Sequence, residues 1–178
     1  MPQSQQLKNW AKYFYNSLAL TLKMSDYLVH RDKSLQQYEI AFHLLQVTFP
    51  LVKDPKLLIG IINNLFASLE HSLDTILNYE KQLMLVSTCS GDFTSKFNLF
   101  RSKSVLRNKI PADYVNLIID LREILEMHKK SPMEFQRGNR LVICTKDYRL
   151  KMISLKDIKS YLDRTKSFLN LVDFIIKR

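Results

Sequence analysis

The fold is decided by residues 54–83, which read DPKLLIGIINNLFASLEHSLDTILNYEKQL. Apolar side chains recur there every three or four residues over about seven turns, which is the pattern of an amphipathic α-helix. Asp54 is suited to cap this helix, and Pro55 fits its first turn, where the backbone N–H has no helical partner to lose. This is the strongest helical period in the chain, and it predicts a long helix.

The same period extends over most of the remaining chain. It predicts further helices over residues 4–30, from residue 32 or 34 to residue 49, over 93–106 and 111–131, and from Ser154 onward. Pro50 and Pro55 predict a break between the second and third helices, because proline removes a helical hydrogen bond. Ser154 and Asp157 have the spacing of a capping box. With three glycines and five prolines, the chain has too few turn residues for an all-β sandwich or barrel.

One segment departs from the helical pattern. Residues 139–153, NRLVICTKDYRLKMI, are rich in β-branched and aromatic side chains, with Lys146 and Asp147 at a turn, and they predict a small β-hairpin. The predicted fold class is therefore all-α. We expect an antiparallel bundle of five to six helices with one β-hairpin near residues 139–153, at least roughly 60% helical. The length of 178 residues predicts a single helical domain over residues 1–178.

Positive charge is concentrated in the second half of the chain. Residues 1–92 hold 8 basic and 8 acidic residues, whereas residues 93–178 hold 19 basic and 9 acidic residues and so carry the whole net charge of +10. The excess lies in two stretches, 93–110 and 129–151. Because both flank the helix predicted over 111–131, we expect them to form one positive surface. Such a surface favours a polyanionic partner, either a nucleic acid such as RNA or a lipid surface; the alternative is a basic face that has no ligand.

The sequence lacks the motifs of several common sites. Cys89 and Cys144 form no CxxC pair, and none of the four histidines has a partner at metal-ligand spacing, so no metal site is predicted. Phosphate-binding glycine loops and a GxSxG motif are absent, and no cofactor is expected. No apolar run approaches the roughly 20 residues of a membrane span, and the N-terminal residues have no secretory-signal pattern. These features predict a cytoplasmic protein without a membrane span.

Arg122 and His128 are the candidate catalytic residues. They flank the segment REILEMH in the predicted helix 111–131, with five residues between them. At 100° per residue they lie about 240° apart around the helix axis, so a shared site requires a long reach or a second subunit. The alternative is a structural role, in which a half-buried His128 favours the negative C-terminal end of its helix.

A helical chain with Arg-x5-His late in its penultimate helix resembles the HEPN superfamily of helical bundles. The resemblance implies a metal-independent RNase site formed across a homodimer. In such a site His128 would act as the general base on the 2′-hydroxyl, and Arg122 would stabilise the charge on the phosphate. Glu123 stands next to the motif arginine where the family usually has Asn or Asp, and the hairpin is an addition. Some members of the superfamily lack catalysis and act as binding modules.

Two functions from different classes therefore fit the sequence. The first is a basic nucleic-acid-associated or protein-interaction module, whose partner is RNA, another polyanion or a second copy of the chain. The second is a metal-independent HEPN-like RNase that works as a homodimer. The predicted nucleic-acid contacts are Lys96, Arg101, Lys103, Arg107, Lys109, Lys129, Lys130, Arg137 and Arg140. Phe97 and Phe100 fit either of two roles, stacking on bases or packing in the core.

Overall fold

The structure, a computed structural model, describes residues 26–87, 91–138, 140–147 and 149–177. Helix covers 74% of these residues, in five helices, and the strands form one small antiparallel sheet. The predicted helical bundle is therefore confirmed. The part of the predicted first helix that precedes residue 26 lies outside the described residues.

The five helices follow the predicted order. α1 spans residues 26–43 and continues through a π-helical stretch, Leu44–Thr48, into Phe49–Val52. α2 is Leu57–Gln82. α3 comprises Phe93–Leu99, a π-helical stretch at Phe100–Ser104, and Val105–Arg107. α4 is Ala112–Lys130 and α5 is Leu155–Ile176.

α1 has no boundary where the sequence predicted one. Residues 26–43 form one continuous helix, so the expected start of a second helix at Asp32 or Ser34 is wrong. The reason is the role of Ser34. Its side chain is buried, and its hydroxyl lies 2.7 Å from the hydroxyl of Ser72 in α2. Ser34 therefore packs between two helices and caps neither.

α1 also passes through Pro50 and ends at Lys53, whose φ of 55° is left-handed. The N–H of Phe49 bonds to the carbonyl of Leu44, five residues back. A proline interrupts the regular helical hydrogen bonds between residues four apart. Immediately before Pro50, the π-helical stretch replaces these bonds with bonds between residues five apart. The predicted break is confirmed between α1 and α2, but it begins three residues later than Pro50.

The predicted cap of α2 is wrong, whereas that of α5 is confirmed. The carboxylate of Asp54 accepts the N–H of Lys56 at 2.9 Å in a turn, but the regular helix begins only at Leu57, and its N-cap residue Lys56 makes no side-chain capping bond. Before α5, Ser154 and Asp157 form the predicted capping box, each side chain accepting the backbone N–H of the other residue. The hydrogen bonds from Ser154 hold the pKa of Asp157 below its usual value.

The sheet has one strand more than predicted. β1 is Met133–Arg137, β2 is Arg140–Cys144 and β3 is Leu150–Ile153, in antiparallel order β1-β2-β3. β2 and β3 form the predicted hairpin. β1 was missed, because its residues MEFQR are mostly polar and follow directly on Ser131 and Pro132. Its pairing with β2 places it in the sheet.

α2 organises the bundle. It contacts α1, α3, α4 and α5, and a continuous line of its apolar side chains is buried in the core. α1 is tied to α5 as well, because the Arg31 guanidinium donates to both carboxylate oxygens of Asp173 at 2.8 and 3.0 Å. These bonds lower the pKa of Asp173 and raise that of Arg31. The face of the sheet that includes Leu141, Ile143 and Ile153 joins the same core.

Candidate functional site

Arg122 lies on the side of α4 that faces α3. Its guanidinium donates to the hydroxyl of Thr94 at 3.1 Å and lies over the ring of Phe93, 4.7 Å from the centroid. That geometry is a cation–π contact, which holds the arginine in place. The side chain borders an open pocket of about 330 Å³, whose other lining residues are Phe93, Phe97, Ile118, Ile119, Glu123 and Glu126.

His128 faces the sheet. Its Nδ1 lies 2.5 Å from Oε1 of Glu134 in β1, and the imidazole is partly exposed. A carboxylate bound to one ring nitrogen fixes the orientation of the ring, which is how a general base is commonly positioned. The structure therefore gives His128 an orienting partner that the sequence analysis did not identify.

The two candidate catalytic residues contact different elements. Arg122 reaches α3 and His128 reaches β1, as expected for positions about 240° apart on one helix. One chain therefore does not bring the pair together. The shared site across two chains stays a prediction.

Two of the predicted phosphate contacts have partners inside the protein. Nζ of Lys96 lies 2.7 Å from Oδ1 of Asp74, and a guanidinium nitrogen of Arg107 lies 2.8 Å from Oε2 of Glu80. Both carboxylates are buried. The positive charges of Lys96 and Arg107 are thus balanced within the bundle, and these residues contribute little to an external field.

The other predicted contacts are exposed and fall into two groups. The α3 cluster consists of Arg101, Lys103 and Lys109, and the sheet cluster consists of Lys129, Lys130, Arg137 and Arg140. Among these seven residues, the structure shows an ion pair for Lys130. It is a loose pair, with 3.6 Å between Nζ of Lys130 and Oε2 of Glu126.

One residue of each cluster lies at an end of α4. Lys109 precedes the N-terminal end of this helix and Lys129 lies at its C-terminal end, about 28 Å away at 1.5 Å per residue. The sheet is held at the C-terminal end, where the hydroxyl of Ser131 donates to the carbonyl of Cys144. The expected single surface over 93–110 and 129–151 stays a prediction.

The sheet has an open face that the sequence analysis missed. Strand alternation and register place eight side chains on this face: Met133, Phe135, Arg137, Arg140, Val142, Cys144, Leu150 and Met152. Phe135 is 41% exposed, whereas Val142 beside it is 2% exposed. The open face carries two arginines and no acidic side chain. In the sequence, the position of Met133, Phe135 and Arg137 at every second residue could have indicated this face.

A second group that the sequence analysis missed joins α1 to α2. Nδ1 of His30 lies 3.5 Å from Nδ1 of His71 and 3.7 Å from Oδ2 of Asp74. Burial, followed by the charge of His30, lowers the pKa of His71. The available signal was the three-residue spacing of His71 and Asp74, which places both on one side of a helix.

Comparison with known proteins adds no relative, since no family model, curated protein or solved structure matches this chain. The resemblance to the HEPN superfamily stays a prediction. Among the helices that the structure describes, none is long and apolar enough to cross a membrane.

Proposed function

We propose that this protein is a cytoplasmic binding module for single-stranded nucleic acid, and that the open face of its sheet is the contact surface. The observation that carries the proposal is the presence of Phe135, Arg137 and Arg140 on one exposed face without an acidic neighbour on that face. Single strands are bound by aromatic side chains that stack on bases together with cations that contact phosphates.

The arrangement of the two arginines fits a phosphate backbone. Arg137 and Arg140 are directly paired in the register of β1 and β2, so both extend from the same end of the sheet. Phe135 is two residues away on the same side of β1, within the spacing of a base and its phosphate. Lys129 and Lys130 end the helix that leads into β1, so their positive charge lies toward the Met133 end of this strand, opposite the end that carries Arg137.

The α3 cluster is a weaker candidate for the same role. It has exposed cations, but its neighbouring aromatic residues are not available for stacking, because Phe97 and Phe100 are buried. Lys96 and Arg107 are also engaged by Asp74 and Glu80. A surface that offers charge without stacking supports non-specific attraction and little else.

The test compares two double variants with equal loss of charge. Binding of a fluorescent single-stranded RNA is measured by anisotropy over a range of salt concentrations. Arg137→Ala with Arg140→Ala is expected to reduce the slope of log K against log salt by about 1.4, since each lost phosphate contact on a single strand contributes about 0.7. Arg101→Ala with Lys103→Ala is the matched control, and its slope should stay near that of the wild type.

Phe135→Ala separates stacking from charge. It is expected to weaken RNA binding about ten-fold without changing the salt slope, because a stacked base is lost while the phosphate contacts remain. If the α3 control variant instead loses the binding and the sheet variants retain it, the open face is not the contact surface.

The orientation of His128 by Glu134 favours a second candidate, the metal-independent RNase. In this mechanism the imidazole of His128 removes the proton from the 2′-hydroxyl, and the 2′-oxygen attacks the adjacent phosphorus. The bond from phosphorus to the 5′-oxygen breaks, the 5′-oxygen leaves with a proton from solvent, and a 2′,3′-cyclic phosphate remains while the imidazolium returns its proton to solvent. Arg122 of a second chain stabilises the charge that develops on the phosphate oxygens, because the two residues diverge within one chain. The activity would therefore belong to a homodimer.

The RNase candidate predicts cleavage of single-stranded RNA in the presence of EDTA. His128→Ala should abolish this cleavage, and Glu134→Gln should reduce it, because the imidazole loses the carboxylate that orients it. His43→Ala, which changes an exposed histidine of α1, is the control. Activity should also fall on dilution. Wild-type protein that leaves RNA intact at every concentration excludes this mechanism, while RNA binding by the open face is tested independently.

A further inference from the structure

We propose that His30, His71 and Asp74 form a binding site for a divalent transition-metal ion between α1 and α2. The three side chains present ligand atoms that all lie within 4.8 Å of one another. His30 comes from α1, and His71 and Asp74 come from one side of α2. The site is separate from the open face of the sheet and does not depend on its function.

The distances match those of a tetrahedral metal site. Ligand atoms bound to zinc at about 2.1 Å in tetrahedral geometry are about 3.4 Å apart. The separation between the two Nδ1 atoms is 3.5 Å, and that between Nδ1 of His30 and Oδ2 of Asp74 is 3.7 Å. The third separation, between the ligand atoms of His71 and Asp74, is at most 4.8 Å, so an ion can draw these two side chains together by side-chain rotation.

A buried layer of hydroxyl groups fixes the spacing of the two helices beside the site. Ser34 follows His30 by one helical turn, and its hydroxyl contacts those of Ser68 and Ser72 at 3.4 and 2.7 Å. The hydroxyl of Ser68 also donates to the carbonyl of Ser34. These small residues allow α1 and α2 to approach closely. The ligand atoms are therefore held near their bound positions before the ion arrives.

Lys96 supports the carboxylate and limits the affinity. The Lys96 ammonium lies 2.7 Å from Oδ1 of Asp74. The other carboxylate oxygen, Oδ2, therefore faces His30. The same positive charge repels a cation nearby, so it lowers the affinity of the site.

The donor set defines the class of ion. Two imidazole nitrogens and one carboxylate oxygen favour zinc, cobalt or iron over calcium and magnesium, which prefer oxygen ligands alone. Three protein ligands leave a fourth position for water or an exogenous ligand. The side chain of His30 is 28% exposed, so the site can be reached from solvent.

Cobalt(II) titrated into the 178-residue chain is the direct test. The visible absorption of Co²⁺ should show the strong bands of a tetrahedral complex at one ion per chain, and added Zn²⁺ should remove them. His30→Ala and Asp74→Asn are each expected to weaken Co²⁺ binding by about 100-fold, at least as much as the loss of an outer partner. His43→Ala, on the same helix as His30, is the matched control and should bind as the wild type does.

Lys96→Met gives a readout that a purely structural cluster would not show. It is expected to strengthen Co²⁺ binding several-fold, because it removes the nearby positive charge. Circular dichroism checks that each variant is folded. A wild-type protein without the tetrahedral bands overturns the proposal, and so does equal weakening by His43→Ala and His30→Ala. Unchanged or weaker binding by folded Lys96→Met also counts against it.

Discussion

Replacing Arg107 with Met is expected to lower the free energy of unfolding by about 2 to 3 kcal/mol, as measured by urea denaturation. The reason is the position of Glu80, whose residue surface is 1% exposed. Its carboxylate accepts hydrogen bonds from Ser104 at 2.6 Å and Asn108 at 2.8 Å, and Arg107 provides its positive partner. Removing one member of a buried ion pair typically costs about 3 to 5 kcal/mol. The expected loss is smaller because the Arg107 side chain is 32% exposed.

Two further variants test whether this loss of stability arises because the buried carboxylate of Glu80 has lost its positive partner. Arg101→Met removes an equal charge from an exposed position of α3 and should change the stability by less than about 0.5 kcal/mol. Glu80→Gln combined with Arg107→Met should be more stable than Arg107→Met alone, because the buried site no longer carries a charge. If Arg107→Met costs no more than Arg101→Met, the ion pair does not stabilise the fold.

The same comparison separates two roles that a basic residue can have. From the sequence, Arg107 and Arg101 are equivalent, since both are cations in an acid-free stretch. In the structure, Arg107 also donates to the carbonyl of Leu85 and so joins α3 to the segment after α2. We therefore expect folded Arg107→Met protein to bind RNA as the wild type does.

Features set by nearby residues were predictable from the sequence. The capping box of α5 depends on Ser154 and Asp157, so its signal lies within three residues. The periods of α2 and α5 are equally local. The five-helix bundle and the β2–β3 hairpin followed from such patterns.

Features set by distant residues were not predictable. Residue 34 was mistaken for a possible helix start because the partners of Ser34, namely Ser68 and Ser72, come 34 and 38 residues later. β1 is a strand because it pairs with β2, and its own polar sequence gives a weak signal. For the candidate sites, the acid that neutralises each of Lys96 and Arg107 lies on another helix. The predicted phosphate contacts therefore included Lys96 and Arg107, whose charges neutralise buried carboxylates instead.

The second large effect is expected at Phe100. This side chain is 0% exposed, and its ring meets that of Phe168 from α5 edge to face, with centroids 6.4 Å apart. Phe100→Ala leaves a cavity where α3 packs against α5, and such a change typically costs about 3 to 5 kcal/mol. Denaturation in urea should show the loss as a lower midpoint with an unchanged slope.

Phe135→Ala is the matched substitution on the open face. Because Phe135 is 41% exposed, its removal leaves no enclosed cavity and should cost less than about 1 kcal/mol. The two variants should therefore differ in opposite ways. Phe100→Ala should lower the stability, while its folded fraction still binds RNA. Phe135→Ala should keep the stability, while its affinity for RNA falls. An equal loss of stability in the two variants would mean that Phe135 is also covered. A selective loss of RNA binding in folded Phe100→Ala would move the contact surface to α3, which carries one of the two basic stretches that the sequence analysis identified.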